Sequence, residues 1–116
     1  MSTISYELYG EKLELSFKIT TYADNANLAI LVMSKNDNNI IEPYGTMTVN
    51  IVKLLKDNVA CIDVNNFPEA INIIEQYNLG TFTGLRIPSG YCEYPVYEFN
   101  LSELKKYAFS NEWKAI

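Results

Sequence analysis

The chain has 116 residues, 48% of them hydrophobic and 20% charged, which are proportions typical of one compact globular domain. Fourteen acidic and nine basic residues give a net charge of −5, and because phosphate binding needs clustered lysine and arginine, direct nucleic-acid binding is disfavoured. No signal-peptide pattern and no apolar run of membrane-spanning length is visible, so we expect a single cytoplasmic domain over residues 1–116 without membrane contact.

The first half of the chain has the hydrophobic patterns of β-strands. These patterns cover residues 4–8, 13–20, 28–33, 40–51 and 59–64. Apolar and polar residues alternate in the first two, which predicts a hairpin with one face in water. The third is apolar throughout, which is typical of a central strand buried on both faces. Pro43 lacks a backbone donor, so we expect pairing of the fourth strand to start near Tyr44.

A helical pattern replaces the strand pattern after residue 66. Asn66 and Glu69 have capping-box spacing, and Pro68 suits the first turn of a helix. Gly80 is the expected stop signal, so the pattern predicts a helix over residues 67–78. The residues expected to face the sheet are Ala70, Ile71, Ile74 and Tyr77.

The last third of the chain predicts two more strands and a short helix. Residues 81–87 and 91–99 have strand patterns around a turn at 88–90. Asn100 and Glu103 repeat the cap spacing and predict a helix to about residue 109, followed by a loosely held tail over residues 110–116. The elements together predict an α+β fold, in which a mostly antiparallel sheet of about six strands carries one helix on a face and a short C-terminal helix.

The side chains offer little for catalysis. The chain has no histidine, which removes the commonest general base, the usual nucleophile pairs and imidazole metal ligands. Cys61 and Cys92 lie in strand-like segments and fit reduced packing residues better than a disulfide, a zinc site or a reactive thiol. Glycine-rich phosphate-binding motifs are absent. We therefore expect a protein that is not an enzyme, with no catalytic residue, metal or cofactor.

Tyrosine is the unusual residue type of this chain. There are nine tyrosines, and Tyr91, Tyr94 and Tyr97 lie close together beside Glu93 and Glu98. Tyrosine favours strands, which is one explanation, and exposed tyrosine dominates protein–protein hot spots, which is another. The two glutamates would complement a basic partner, although solvated strand-face carboxylates are also common. The segment is therefore a candidate interaction surface.

Three blocks of the sequence resemble a known family. They are residues 44–51 (YGTMTVNI), 60–69 (ACIDVNNFPE) and 89–99 (SGYCEYPVYEF). They are similar to blocks in a domain-of-unknown-function family of small proteins from bacteriophages, plasmids and other mobile elements of Gram-positive and gut bacteria. The resemblance covers about residues 28–100, and the first 27 residues carry none of it.

The resemblance implies an anti-defence role, because such proteins travel with mobile elements and some that look like this family are anti-CRISPR proteins. The implied partner is a host protein, a Cas effector nuclease of the Cas9 type, whose positively charged channel or arginine-based reading of a short flanking motif would be blocked. The family has no assigned catalytic residues. The expected contacts are Asp63, Tyr91, Glu93, Tyr94, Tyr97 and Glu98.

Alternative interpretations stay open for the protein and for part of this site. The chain also fits a non-enzymatic accessory or structural protein of a phage or plasmid that self-associates or binds another protein, as a monomer or a homodimer. Asp63 and Asn66 also fit a purely structural role, in which residues 63–68 build a strand-to-helix turn and cap the helix.

Overall fold

The structure, a computed structural model, describes residues 2–110 and Trp113, with the backbone alone for Leu8. Eight strands and two short helices follow one another along the chain. They are β1 (Ile4–Leu8), β2 (Glu11–Thr21), β3 (Leu28–Lys35), β4 (Ile41–Thr46), β5 (Thr48–Val49), β6 (Val59–Ile62), α1 (Ala70–Gln76), β7 (Gly80–Ser89), β8 (Cys92–Phe99) and α2 (Leu101–Lys105). No helix in this part of the chain is both long enough and apolar enough to cross a membrane.

The strands form two four-stranded sheets in which the neighbouring strands described are antiparallel. Sheet A has the order β1-β2-β3-β4, and sheet B has the order β5-β6-β8-β7. The mostly antiparallel α+β prediction is confirmed, whereas the prediction of about six strands in one sheet is wrong. The single pattern over residues 40–51 is divided between the two sheets, as β4 and β5.

Met47 is the residue at which the chain passes from sheet A to sheet B. Its N–H donates to the carbonyl oxygen of Ile30 in sheet A, at 2.9 Å. Its carbonyl oxygen accepts from the N–H of Asp63, just after β6 of sheet B, also at 2.9 Å. Its side chain is fully buried. One residue therefore joins the backbones of both sheets, which a local sequence pattern does not reveal.

Both sheets and both helices enclose one main hydrophobic core. Fully or almost fully buried members of this core are Ile4, Leu15, Phe17, Ile30, Val32, Ile62, Ile73, Ile74, Phe99 and Leu104. Burial of each large aliphatic or aromatic side chain stabilises the fold by about 1.5–3 kcal/mol relative to leaving it in water. The core therefore holds both helices against the sheets.

Strand β3 is the central strand that its apolar sequence predicts. All of its residues are buried except Leu31, and it pairs with β2 on one side and β4 on the other. Strand β4 begins at Ile41, earlier than the predicted start at Tyr44. Pro43 lies inside β4 opposite Met33, beside a shift in the pairing register. A strand tolerates proline at such an irregularity, because the regular ladder is already interrupted there.

Helix α1 begins later than predicted, and its predicted capping box is wrong. The N-cap residue is Glu69, and it makes no side-chain cap hydrogen bond. The Asn66 side chain instead donates to Oδ2 of Asp63 at 3.1 Å, while Oδ1 of Asp63 accepts from the N–H of Asn66. The predicted cap fails because the Asp63 carboxylate accepts hydrogen bonds from both the backbone N–H and the side-chain amide of Asn66.

The end of α1 and its buried face also differ from the prediction. Asn78 adopts the left-handed conformation with φ of 54°, and Gly80, the predicted stop, is the first residue of β7. The buried residues of α1 are Ala70, Ile73 and Ile74, whereas Ile71 and Tyr77 are half-buried. Tyr77 lies at the C-cap, where its hydroxyl donates to the Ser5 carbonyl oxygen at 2.8 Å. The shorter helix therefore uses Ile73 as its central core residue.

Helix α2 is capped as predicted but ends earlier. The Asn100 side chain accepts from the N–H of Glu103 at 3.3 Å, which confirms the second cap. The helix ends at Lys105, and the backbone after it forms hydrogen bonds with Phe17 of β2. The N–H of Phe17 donates to Tyr107, and the N–H of Phe109 donates to Phe17, both at 2.8 Å.

Trp113 packs against sheet A. Trp113 is 6% exposed, and its ring meets that of Phe109 edge-on at 5.8 Å. The ammonium group of Lys35 lies 5.8 Å from the centre of the Trp113 ring. The expectation of a loosely held tail is therefore wrong at Trp113, and for residues 111, 112 and 114–116 it lies outside the described residues.

Candidate functional site

The β7–β8 hairpin exposes most of its first strand. Strand β7 lies at an edge of sheet B and, in the described part of the chain, pairs only with β8. Every residue of β7 is exposed except Gly80 and Ile87, which are half-buried. The exposed side chains include Phe82 and Leu85. Exposed apolar side chains on an edge strand are typical of surfaces that bind other proteins, so this hairpin is a candidate site.

The backbone edge of β7 is interrupted in two places. The pairing register shifts between Phe82 and Arg86, and within this bulge Gly84 has a φ of 87°. Pro88, which has no N–H to donate, lies further along the same strand. Bulges and prolines are devices that prevent a foreign strand from pairing along a sheet edge. The surface of β7 is therefore better suited to side-chain contacts than to strand addition.

The tip of the hairpin groups three of the predicted contact residues. Tyr91 is fully exposed in the turn, Glu93 is exposed, and Tyr94 is half-buried. Partial burial raises the pKa of Tyr94 above its ordinary value, with a further contribution from a hydrogen bond to Cys92. The tip therefore presents a free phenol ring next to a carboxylate, which is a suitable combination for a polar protein interface.

Tyr97 lies apart from that surface. It is 4% exposed and belongs to the main core, and its ring lies 5.7 Å from the ring of Phe82. Burial raises the pKa of Tyr97. Because neighbouring residues alternate along a strand, Tyr97 points to the core, whereas Tyr94 and Val96 point to the outer face of sheet B.

Glu98 and Asp63 already have partners within the chain. Glu98 accepts from the Lys56 ammonium at 2.9 Å in a partly exposed salt bridge. Asp63 is 8% exposed, and its carboxylate holds the turn at Asn66 described above. Tyr91, Glu93 and Tyr94 therefore lie at or beside the turn, with the consecutive residues Glu93 and Tyr94 on opposite faces of β8, whereas the other three predicted residues have intramolecular surroundings. Their role as partner contacts stays a prediction.

An apolar groove lies beside the hairpin on the outer face of sheet B, and the sequence analysis missed it. The groove has a volume of about 460 Å³ between β7 and the loop of residues 52–56. Its apolar lining residues are Val52, Leu54, Leu55, Val59, Leu85, Ile87 and Val96. Leu55 is fully exposed on the lip, and Leu85 is 53% exposed. The signal in the sequence is the set of apolar residues Val52, Leu54 and Leu55 between the predicted strands over 40–51 and 59–64.

Two cysteines lie on this same face and are free thiols, as predicted. Cys61 is buried in a small cluster with Val59 and Val96 under the groove. Burial raises the pKa of the Cys61 thiol, which keeps it protonated and unreactive. Cys92 is half-buried near the hairpin tip. Cys61 therefore acts as a packing residue of sheet B.

A network of asparagines holds the loop that forms one wall of the groove. The Asn27 side chain is buried, donates to the Val52 carbonyl oxygen at 2.7 Å and accepts from the N–H of Leu54 at 3.0 Å. Asn50, in the first sequence block, accepts from Asn27 at 3.1 Å and donates to Asp24 at 2.9 Å. These hydrogen bonds give Asn50 a structural role and fix the position of the loop.

The first two sequence blocks contact each other directly. The Tyr44 hydroxyl donates to Oε1 of Glu69 at 3.0 Å, and the Tyr44 ring meets the Phe67 ring edge-on at 5.5 Å. Burial, and then the hydrogen bond to Glu69, raise the pKa of Tyr44 well above its ordinary value. Gly45 lies against Phe67 so closely that a Cβ would be 2.8 Å from the ring. These block residues therefore hold β4 to the turn before α1.

A polar cleft of about 770 Å³ is the other notable concavity of the described chain. Its lining includes Lys12, Lys35, Glu7, Glu14 and Asp37 together with the side-chain amides of Asn36, Asn39, Asn72 and Gln76. Lys35 is buried, with its ammonium group 3.7 Å from the Glu14 carboxylate. Because both signs of charge are interspersed, the cleft does not select one class of charged ligand. Among the described residues, no three His, Cys, Asp or Glu side chains are grouped to hold a metal ion.

The fold and these surfaces define a small α+β domain with two antiparallel sheets, an exposed hairpin and an apolar groove. Comparison with protein-family models matches residues 16–112 to a domain of unknown function (DUF4313). The chain belongs to this family. No curated protein and no solved structure gives a significant match. The expectation that residues 1–27 carry no resemblance is wrong for residues 16–27, which the family model covers, whereas residues 1–15 lie outside the match.

Proposed function

We propose that this protein acts by binding another protein through the tip of the β7–β8 hairpin, without chemistry of its own. The observation that carries the proposal is the fully exposed Tyr91 beside the exposed carboxylate of Glu93. A tyrosine offers a large contact area at a low cost in conformational entropy, which is why it is enriched in binding hot spots. A solvent-exposed tyrosine at a turn next to an acidic residue is the arrangement expected of a binding anchor.

The base of the hairpin supports this proposal, because it holds the tip in a defined position. Ser89 pairs with Cys92 and Ile87 pairs with Tyr94 next to the turn, and Tyr97 anchors the other end of β8 in the core. Glu98 adds the salt bridge to Lys56. A contact residue that is already ordered loses little entropy on binding, so affinity is gained without a change of shape.

We propose further that the partner is a host defence protein, specifically a Cas effector nuclease of the Cas9 type. Support for this choice comes from the sequence resemblance to mobile-element proteins. Effector nucleases bind nucleic acid in a positively charged channel. A net charge of −5 favours encounter with such a surface, and Glu93 supplies a carboxylate at the contact. The protein would then occupy the channel or the motif-reading site and exclude DNA.

An inhibition assay tests this proposal with variants that leave the fold intact. Purified Cas9-type effectors with guide RNA cleave target DNA in the presence of increasing amounts of the wild-type chain, of Tyr91→Ala and of Glu93→Lys. The matched control is Glu11→Lys, which makes the same charge change at an exposed residue of the β1–β2 hairpin. We expect inhibition by the wild type and the control, and at least about tenfold weaker inhibition by both tip variants, equivalent to about 1.4 kcal/mol.

Three outcomes would count against the proposal. Full cleavage of the target DNA by every effector would show that the nuclease is not the partner. Equal inhibition by the wild type and both tip variants would show that the hairpin tip is not the contact surface. Equal weakening by Glu93→Lys and Glu11→Lys would show that net charge alone is responsible.

The groove favours a second candidate function, that of an accessory protein that self-associates. Its observation is the apolar lining with Leu55 fully exposed on the lip. A contiguous apolar surface of this kind is typical of an interface rather than of a surface that stays in water. Self-association and partner binding use different residues, so one does not exclude the other.

A further inference from the structure

We propose that strand β1 binds an extended peptide segment of another protein, which pairs with its free edge as an additional strand of sheet A. The site goes beyond the proposed function, because both the surface and the mode of binding differ from those of the hairpin tip. Strand addition needs an edge strand whose outward N–H and C=O groups are accessible over several consecutive residues. The two sheets have four edges in the described part of the chain, namely β1, β4, β5 and β7.

Three of these edges are unsuited to strand addition. The edge of β7 is interrupted by its bulge and by Pro88. The edge of β4 contains Pro43, beside the shift in its pairing register with β3. Strand β5 is only 2 residues long. Bulges, prolines and very short strands are devices that prevent a foreign strand from pairing, so these three edges are protected.

The edge of β1 lacks this protection. Its pairing with β2 runs without a shift over all 5 of its residues, and its sequence contains neither proline nor glycine. In the described part of the chain, β1 pairs with β2 alone. A donor from outside this ladder already reaches the strand, because the Tyr77 hydroxyl donates to the Ser5 carbonyl oxygen at 2.8 Å. The backbone of β1 is therefore accessible from the side that β2 does not occupy.

The polar cleft lies beside β1 and has room for the side chains of a bound segment. Ser5, Tyr6 and Glu7 line this cleft of about 770 Å³ together with Asn72 and Gln76 of α1. The two amide side chains are exposed and lie one helical turn apart, so they are on the same side of α1. A side-chain amide both donates and accepts hydrogen bonds, as a peptide group does. The cleft therefore suits a polar peptide that is held by strand pairing.

The charge of the strand favours a basic segment over a second copy of this chain. Glu7 is the charged side chain of β1 and is exposed. The ion pairs among the described residues do not include Glu7, although Lys12 lies opposite it on β2. Two copies paired edge to edge would each bring a Glu7 and a net charge of −5. A foreign segment with a lysine or arginine beside Glu7 would instead be attracted.

Short random peptides displayed on phage and selected on the immobilised full chain supply the probes for a test. We expect the selected sequences to contain lysine or arginine, and titration calorimetry measures the affinity of the synthetic peptides. Methylation of one backbone nitrogen at a time tests strand pairing, because an added strand directs only alternate N–H groups to its neighbour. We expect at least about tenfold weaker binding at alternate positions and little change at the positions between them.

Glu7→Lys tests the location of the site, with Glu42→Lys as the matched control. Glu42 is an exposed glutamate on β4, the other edge strand of sheet A. Glu7→Lys should weaken the binding of lysine-containing peptides about threefold at low salt, whereas Glu42→Lys should leave it unchanged. Both substitutions change exposed side chains, so both variants should fold, which circular dichroism verifies. Tyr91→Ala at the hairpin tip should bind the peptides as the wild type does.

Each alternative has its own result. Failure to select any peptide that binds the chain, or equal sensitivity to methylation at every backbone nitrogen, would overturn strand addition. Equal weakening by Glu7→Lys and Glu42→Lys, or a loss of peptide binding in Tyr91→Ala, would overturn the assignment to β1. Sedimentation of the wild type as a dimer whose dissociation constant changes in Glu7→Lys would show that a second copy occupies the edge. Because the inhibition assay uses the tip variants, the proposed function and this site can fail independently.

Discussion

Gly45 is a residue whose replacement the structure resists. A Cβ at this position would lie 2.8 Å from Cδ2 of the Phe67 ring, and Phe67 is only 3% exposed, so the ring has little room to move. We expect Gly45→Ala to lower the free energy of unfolding by about 1–3 kcal/mol, which is the usual cost of overpacking. Urea unfolding measures this change.

A double variant identifies the cause of that cost. Phe67→Leu removes part of the ring that opposes residue 45, so Gly45→Ala should cost less in the Phe67→Leu background than in the wild type. Additive effects of the two substitutions would contradict the contact and would point to a cost in the backbone of β4 instead.

Tyr44 should make stability depend on pH in the alkaline range. Its pKa in the folded protein is raised, by burial first and then by Glu69, so the folded chain keeps a proton that the unfolded chain releases. Stability is therefore complete below the ordinary tyrosine pKa of about 10 and falls as the pH rises above it. Tyr44→Phe should reduce this slope in unfolding experiments at increasing pH, and the remaining slope has contributions from Cys61, Tyr94, Tyr97 and Lys106, whose pKa values are also raised. An unchanged slope would show that Tyr44 does not contribute.

At the scale of single residues, the sequence predicted some roles and missed others for an identifiable reason. The cap at Asn100 follows from its neighbour Glu103 and was predicted correctly. The same spacing at Asn66 misled, because Asn66 donates to the nearby Asp63 carboxylate and Glu69 accepts from Tyr44, which lies 25 residues away in the chain. A local motif gives the right answer only when no other group competes for its side chains.

Among the connecting elements, the loop of residues 52–56 depends on one buried side chain. Asn27 is 5% exposed and satisfies the Val52 carbonyl and the Leu54 N–H. Asn27→Ala leaves both groups without this partner, so we expect a loss of about 2–3 kcal/mol in the free energy of unfolding. Hydrogen exchange at the Leu54 amide should also accelerate.

A matched control for this prediction is Asn38→Ala, in the exposed turn between β3 and β4. Surface substitutions of this kind usually change stability by less than about 0.5 kcal/mol. Equal stability of the two variants would mean that the asparagine network does not hold the loop.

At the scale of elements, periodicity located the strands but not their division between sheets. The alternation in β2 reflects burial on one face, and the apolar run in β3 reflects burial on two faces. Both patterns are visible in the sequence itself. The split between β4 and β5 depends on bonds from Met47 to Ile30 and Asp63, which join segments far apart in the chain. The sequence likewise predicted the turn of the β7–β8 hairpin, which is local in the chain. It did not predict the groove, because the walls of the groove are two segments that are far apart in the chain.

Across the whole molecule, many of the acidic groups are engaged within the chain. Carboxylates that pair with a lysine or accept a side-chain hydrogen bond are Glu14, Asp24, Asp63, Glu69, Glu98 and Glu103. They belong to different parts of the fold, so these six carboxylates do not form one extended acidic surface. The proposed contact is accordingly local, with the net charge acting mainly on the rate of encounter.

Hydrogen–deuterium exchange of the purified chain, alone and with a purified Cas9-type effector and its guide RNA, tests the central claim most directly. The account predicts that the effector slows exchange in residues 86–94, around the hairpin tip, because binding there excludes solvent and stabilises the turn. Unchanged exchange throughout the chain, or protection confined to residues far from the tip, would contradict it.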